Sequence, residues 1–174
     1  MFKRHGNSVS LEKIAQEAGV GVATLYRNFP DREALIHACA EHMSDGFLVF
    51  QNRLIEDFES DPSDAKNFVL DYALKLTTMG LTSLIPSFAP EDLDTLPEHL
   101  KLKRDALQEN GERFIELGKQ HGVIGPGVGH LDFVVGILTL VRPRKVQVEN
   151  YVPDIQKRML RIYLAGIKSG ITNA

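Results

Sequence analysis

Two short amphipathic segments separated by only three residues place the strongest constraint on the fold. Ser10 precedes the first segment, and its hydroxyl oxygen is an acceptor of the kind that caps a helix N-terminus. Gly19 can adopt the left-handed conformation that ends a helix. The second segment begins near Val22 and should end before Pro30. Because the connection, residues 19–21, is so short, the two helices must cross steeply, which predicts a helix-turn-helix.

The second helix of this pair has an apolar face and a polar face. The spacing predicts that Val22, Leu25 and Phe29 pack on the first helix. The opposite face carries hydroxyl, phenol, guanidinium and amide groups, which can reach phosphates and base edges in a DNA major groove. A helical hairpin with an ordinary solvated face is the alternative interpretation. The residues of this polar face are Thr24, Tyr26, Arg27 and Asn28.

The rest of the chain also favours helices. Apolar residues recur at spacings of three and four, and period-2 runs bounded by hairpin turns are lacking, so we predict an all-α protein. The β-branched run from Phe133 to Val141 could form a buried strand, but a helix over about residues 129–142 is favoured because no partner strand is in view.

The segment SVSLEKIAQEAGVGVATLYRNFPDREALI, Ser8 to Ile36, resembles the DNA-binding core of TetR/AcrR-family transcription regulators. The resemblance implies that residues 10–18 form the supporting helix and residues 22–29 the recognition helix. It also implies that Tyr26 and Arg32 contact phosphates, while Asn28 stands where the family frequently has histidine. The family's first helix is represented only by residues 2–6, which resemble its last turn, so this helix is apparently truncated.

The resemblance covers about the first 45 residues closely, and it implies a DNA-binding domain over residues 1–45 followed by a larger helical effector-binding and dimerisation domain over residues 46–174. It further implies a one-component regulator, expected to be a repressor. The expected partners are a palindromic double-stranded DNA operator, a second copy of the chain and a small-molecule effector that releases the DNA. The alternative is an all-α homodimer that binds a small molecule or a partner protein without binding DNA. No nucleophile–base pair or metal-ligand constellation emerges from the sequence, so we expect no enzymatic activity, catalytic residue, metal or cofactor.

Three later helices carry stripes of apolar residues, and the simplest interpretation is that these residues form ordinary core. A sharper hypothesis is that aromatic and methionine side chains line an apolar effector cavity, with two polar residues, Asn110 and His121, as orienting groups. For these two residues a hydrogen-bonded position in the core or at its rim is the favoured interpretation. The pocket candidates are Met43, Phe47, Phe50, Tyr72, Met79, Asn110, Phe114 and His121.

The segments 131–141 and 155–171 are apolar on more than one side. A helix of this kind must be covered on both sides, which predicts a two-helix patch that pairs with its copy in a homodimer. A helix buried inside a monomer is the alternative. The interface candidates are Leu131, Val134, Leu138, Met159, Ile162, Tyr163 and Gly166.

Charge and composition agree with these expectations. The formal net charge is −3, whereas residues 1–36 carry a net charge of +1, so the basic excess lies in the segment expected to bind DNA. The single cysteine, Cys39, cannot form an internal disulfide, and no apolar run is long enough to span a bilayer. We therefore expect a soluble cytoplasmic protein with no membrane partner.

Overall fold

The computed structural model describes residues 9–79, 95–140 and 154–171. These residues form seven α-helices and no β-strand, which confirms the all-α prediction. The run that begins at Phe133 is helical, and Val141 lies outside the described residues. A short 3₁₀ helix, Pro62–Asp64, joins the third helix to the fourth. The helices are α1 (Leu11–Glu17), α2 (Val22–Asn28), α3 (Arg32–Ser60), α4 (Ala65–Thr78), α5 (Glu98–Gln120), α6 (His130–Leu140) and α7 (Ile155–Ser169).

Local signals set the ends of α1 and α2. The Ser10 hydroxyl accepts a hydrogen bond from the Lys13 backbone N–H at 3.3 Å, as the capping prediction required. Gly19 has a φ of 68°, the left-handed conformation that an L side chain disfavours. At the end of α2, Phe29 is extended because Pro30 follows it. The predicted helix-turn-helix is therefore present, with each helix one residue or so shorter than expected.

The chain divides into two compact units. The described part of the first unit comprises residues 9–46 and 95–105, and that of the second comprises residues 47–79, 106–140 and 154–171. Helices α3 and α5 each contribute residues to both units.

The core of the first unit is formed by Val9, Leu35 and Ile36, which are almost completely buried. In α2, Leu25 is buried as predicted, but Val22 is 39% exposed, and Ala18 of α1 is also exposed. The prediction that Val22 is buried against α1 was therefore wrong. Leu25 is the one buried residue of α2, so α1 covers only part of the predicted apolar face. The half-buried residues around this core are Leu11, Ile14, Phe29, Cys39 and Met43.

The second unit has an aromatic core and a loop that fastens its last helix. Between α5 and α6, the Gly125 N–H donates to the Ile167 carbonyl of α7 at 2.8 Å, and the Ile171 N–H donates to the Pro126 carbonyl at 2.9 Å. A Cβ at Gly125 would overlap the backbone of Gly170, so this approach requires glycine. The loop thus fixes the C-terminal end of α7.

Candidate nucleic-acid interface and effector site

The predicted recognition helix, α2, is anchored through Leu25 and presents its polar face outward. Tyr26, Arg27 and Asn28 are exposed, and Thr24 is half-buried. The Asn28 side-chain nitrogen donates to the Thr24 carbonyl one turn earlier at 2.8 Å, so it caps its own helix. Tyr26 and Arg27 are consequently the longest polar side chains that this face offers to a ligand.

A contact between tyrosine and glutamate joins α2 to α1. The Tyr26 hydroxyl donates to a carboxylate oxygen of Glu12 over 3.5 Å, and the tyrosine remains 42% exposed. Hydrogen bonds from the Glu12 backbone N–H, from Ser10 and from Tyr26 lower the pKa of Glu12. An ionised Glu12 therefore orients the phenol at the surface of the helix pair.

Arg32, expected to contact phosphate, also has a partner within the protein. One terminal nitrogen of its guanidinium donates to the Val9 carbonyl at 2.6 Å, and the side chain is half-buried. Val9 lies immediately before the Ser10 cap of α1. Arg32 therefore holds the entry to α1 against the first turn of α3, in addition to any contact it makes with DNA.

The predicted dimer residues lie on α6 and α7 of the second unit. Leu131 and Ile162 are 63% and 62% exposed, and a Cβ at Gly166 would meet no described atom within 4 Å. The two helices pack together, because the Tyr163 hydroxyl donates to the Asp132 carbonyl at 2.5 Å. Val134, Leu138, Met159 and Tyr163 are half-buried on these helices.

An open groove of about 660 Å³ is lined by residues of both helices. It is lined mainly by apolar side chains, with Asp132 as its charged residue. The remaining lining residues are Val128, Leu131, Val135, Gly136, Tyr163, Gly166, Ile167, Gly170 and Ile171.

Comparison with known proteins relates the N-terminal part of the chain to a family. The family described as "Bacterial regulatory proteins, tetR family" matches residues 1–39, which include the helix-turn-helix. The match covers the first 39 residues of the chain, so it relates the helix-turn-helix to the TetR family.

Curated relatives and a solved structure extend this result. The HTH-type transcriptional regulators SAUSA300_2515 and SAOUHSC_02897 of Staphylococcus aureus (strains USA300 and NCTC 8325 / PS 47) are each 30% identical over 76 residues. The match covers 43% of this chain and 40% of each relative. The crystal structure of the TetR transcriptional regulator SCO0520 from Streptomyces coelicolor is 23% identical, with a TM-score of 0.58. That similarity covers 98% of this chain and 93% of the other, and it shows a shared fold.

The structure brings only some of the predicted pocket residues together. The Tyr72 ring lies 4.5 Å from Phe114, 5.5 Å from Phe47 and 6.2 Å from Phe50 between centroids. Phe47, Tyr72 and Phe114 are buried, whereas Phe50 is half-buried. These four residues form an aromatic cluster around Tyr72.

The other pocket candidates lie elsewhere. Met43 packs with the core of the first unit, and Met79 is half-buried at the end of α4. Asn110 donates to the Asn52 side-chain oxygen at 2.7 Å, and His121 is exposed with its ring 5.6 Å from Phe58. The structure therefore does not bring these four residues into the aromatic cluster.

Sequence reasoning missed a buried chain of polar side chains that runs through this cluster. The Gln51 side-chain nitrogen donates to the Tyr72 hydroxyl at 2.6 Å, and that hydroxyl lies 2.9 Å from His130 Nε2. His130 Nδ1 lies 3.0 Å from the Gln108 side-chain oxygen, and Gln108 in turn donates to Glu112 at 2.6 Å. The pattern could have revealed Gln51, because it lies on the buried stripe of α3 between Phe47 and Leu54.

Burial sets the protonation of this chain. Desolvation raises the pKa of Tyr72, which Gln51 only partly offsets, and desolvation also lowers the pKa of His130. His130 is therefore neutral at physiological pH. The hydrogen-bond pattern then assigns its proton to Nδ1, facing Gln108, which leaves Nε2 to accept from Tyr72.

The described helices contain no segment both long and apolar enough to cross a bilayer.

Proposed function

We propose that this protein is a TetR-family one-component transcriptional repressor that binds a palindromic operator as a homodimer and is released by a small effector. The observation that most supports this proposal is the exposed polar face of α2, a helix that is anchored by its single buried residue, Leu25. Recognition helices of this type place side chains in the major groove, and a dimer reads two half-sites about 34–36 Å apart. The relatives named as HTH-type transcriptional regulators support this proposal.

The proposal assigns different tasks to the polar residues. Tyr26 and Arg32 contact phosphates, which positions the protein on DNA, while Thr24, Arg27 and Asn28 face base edges, which selects sequence. Because Arg32 also holds the Val9 carbonyl, its loss would disturb the entry to α1 as well as a phosphate contact. A substitution of Arg27 therefore tests the contact with DNA without also disturbing the entry to α1.

The test is DNA selection followed by a salt series. The protein is used to select fragments from the genome of its source, and anisotropy then compares the selected duplex with a scrambled one at 50–200 mM salt. Arg27→Ala should weaken binding to the selected duplex more than to the scrambled one, by about 1–3 kcal/mol if a bidentate base contact is lost. Arg53→Ala, which removes an exposed cation of the second unit, is the matched control.

If the wild-type protein prefers no fragment over scrambled DNA, the regulator proposal is wrong and the all-α ligand-binding homodimer remains. Equal losses for Arg27→Ala and Arg53→Ala would show that α2 contributes only general charge.

The homodimer is proposed to form through the exposed face of α6 and α7. Ile162→Glu should convert dimers to monomers, because a charge would be buried in the apolar interface. Val49→Glu is the control, since Val49 is 70% exposed on α3 and lies off this face. Light scattering gives the mass of each variant, and a dimeric Ile162→Glu protein would contradict this interface.

A further inference from the structure

The side-chain oxygen of Gln51 is the strongest unexplained feature of the second unit. Gln51 is completely buried in α3, and its nitrogen donates both to Tyr72 at 2.6 Å and to the Leu107 carbonyl at 3.1 Å. Its oxygen, Oε1, is buried without a hydrogen-bond partner among the described residues. A buried acceptor left unpaired is costly, so native proteins rarely retain one without a function or a bound molecule.

Rotation of the Gln51 amide by 180° would not remove this cost. It would place Oε1 against the Leu107 carbonyl, where two acceptors would face each other, and would lose the bond to that carbonyl. The Tyr72 hydroxyl is committed as well, because it accepts from Gln51 and donates to His130 Nε2. The chain of donors therefore fixes the orientation that leaves Oε1 open.

The Tyr72 ring, whose hydroxyl accepts from Gln51, is surrounded by aromatic rings. Phe47, Phe50, Phe114 and Phe133 all lie within 6.2 Å of the Tyr72 ring between centroids. The half-buried Phe50 is the least enclosed of the four, and the Lys75 ammonium lies 5.3 Å above its ring. Phe50 is therefore the ring of this cluster that is most open to solvent.

The chemistry of the open acceptor restricts what can bind there. A carboxylate or a carbonyl group has no proton to donate, so it would bring two acceptors together. An ammonium group would be buried without an opposite charge in contact, which is costly. A neutral hydroxyl or N–H group on a mainly aromatic molecule satisfies both the oxygen and the rings.

We propose that Gln51 Oε1 is the polar anchor of the effector site and accepts a hydrogen bond from the hydroxyl or N–H group of a neutral aromatic effector. This inference rests on the effector-responsive function proposed above and names the chemical class of the effector. Gln51 binds the donor, while Tyr72, His130 and Gln108 position the amide.

The test uses two aromatic probes that differ in one donor. Calorimetry measures binding of 2-naphthol, which carries a hydroxyl, and of 2-methoxynaphthalene, in which that proton is replaced by a methyl group. The full chain should bind 2-naphthol about tenfold more tightly, the factor expected for one neutral hydrogen bond. Gln51→Met, which keeps the length of the side chain, should abolish this preference.

Gln120→Met is the matched control, because it makes the same substitution at an exposed position at the end of α5 and leaves the buried polar chain intact. It should retain the preference for 2-naphthol. A second readout needs no substitution: the side-chain amide signals of Gln51 in the wild-type NMR spectrum should shift with 2-naphthol and much less with 2-methoxynaphthalene. This readout decides the question if Gln51→Met does not fold.

Three outcomes would each overturn the proposal: equal affinities for the two probes, no binding of either probe, or a preference that survives in Gln51→Met. The partner of Oε1 would then be a bound water. Binding of the selected DNA is measured separately without probe. Loss of DNA preference contradicts the regulator function and leaves the calorimetric result standing, so the two failures are distinguishable.

Discussion

The helix-turn-helix and the interior of the second unit each contain a tyrosine whose hydroxyl is hydrogen-bonded, and the two differ in almost every other respect. Tyr26 is 42% exposed and makes one long contact, 3.5 Å, with an exposed glutamate. Tyr72 is completely buried, with partners at 2.6 Å and 2.9 Å. The first hydroxyl is available to a macromolecule outside, and the second is part of the protein's own structure.

This difference teaches where function and stability overlap. On the outer face of α2, a side chain can be changed with little loss of folding free energy, so a change in DNA binding reports directly on recognition. In the aromatic cluster, the same change removes packing and hydrogen bonds that hold the unit together. Measurements of stability must therefore accompany every binding experiment on the second unit.

The largest effect expected from this comparison follows removal of a buried ring. Phe114→Ala should reduce the free energy of unfolding by about 3–5 kcal/mol, because a completely buried ring that stacks on Tyr72 leaves a cavity. Val22→Ala on the exposed side of α2 is the control and should cost under about 0.5 kcal/mol. Urea unfolding followed by circular dichroism measures both variants. Similar losses of unfolding free energy in the two would contradict the contrast between the buried cluster and the exposed face of α2.

A smaller effect is expected when the buried hydroxyl alone is removed. Tyr72→Phe keeps the ring but leaves His130 Nε2 without its donor, while Gln51 keeps its bond to Leu107. The free energy of unfolding should fall by about 1–3 kcal/mol, the cost of one unpaired buried polar atom. The same urea experiment measures it. An unchanged unfolding midpoint would mean that the polar chain contributes nothing to stability.

The sequence predicted the first unit well because its signals are local. Ser10, Gly19 and Pro30 each act within a few residues, through a side-chain cap, a left-handed backbone and a blocked helix. The predicted burial of Val22 was wrong because burial depends on how α1 and α2 cross. Helical spacing shows which residues share a face, and it does not show how far along that face the neighbour reaches.

The second unit was predicted at the level of helices and stripes only. Spacing placed Phe47, Tyr72 and Phe114 on apolar faces, but their meeting depends on contacts between residues far apart in the chain. The partner of Tyr72, His130, lies 58 positions away, and no local pattern connects them. Gln51 was detectable as a polar residue on a buried stripe, although its open oxygen was not.

The third prediction concerns the effect of pH on His130, in the middle of the buried polar chain. Burial lowers the pKa of His130 in the folded state, and the exposed Glu112 opposes this shift. The unfolded chain, with a histidine pKa of about 6.5, therefore binds the proton more readily than the folded chain below that pH. The stability that His130 contributes is complete above about pH 6.5 and is lost as the pH falls from there toward the folded pKa.

This loss has a slope of at most about 1.4 kcal/mol per pH unit. Urea midpoints at several pH values between 5 and 7.5 give it as the difference between wild type and His130→Gln, which cancels the other titrating groups. Parallel curves for the two proteins would show that His130 titrates alike in both states.

The smallest effect on stability is expected at the exposed tyrosine. Tyr26→Phe removes a hydroxyl that water can replace as the partner of Glu12, so the urea midpoint should correspond to a change within about 0.5 kcal/mol. If that hydroxyl contacts a phosphate, DNA affinity should still fall by about tenfold, and by the same factor on selected and scrambled duplexes, because phosphates carry no sequence information. The slope of affinity against salt should not change, since the hydroxyl carries no charge and releases no counterion. Anisotropy titrations on both duplexes at two salt concentrations measure all three quantities. A change in operator preference would instead place Tyr26 on a base edge, and a clear loss of stability would make this tyrosine structural, like Tyr72.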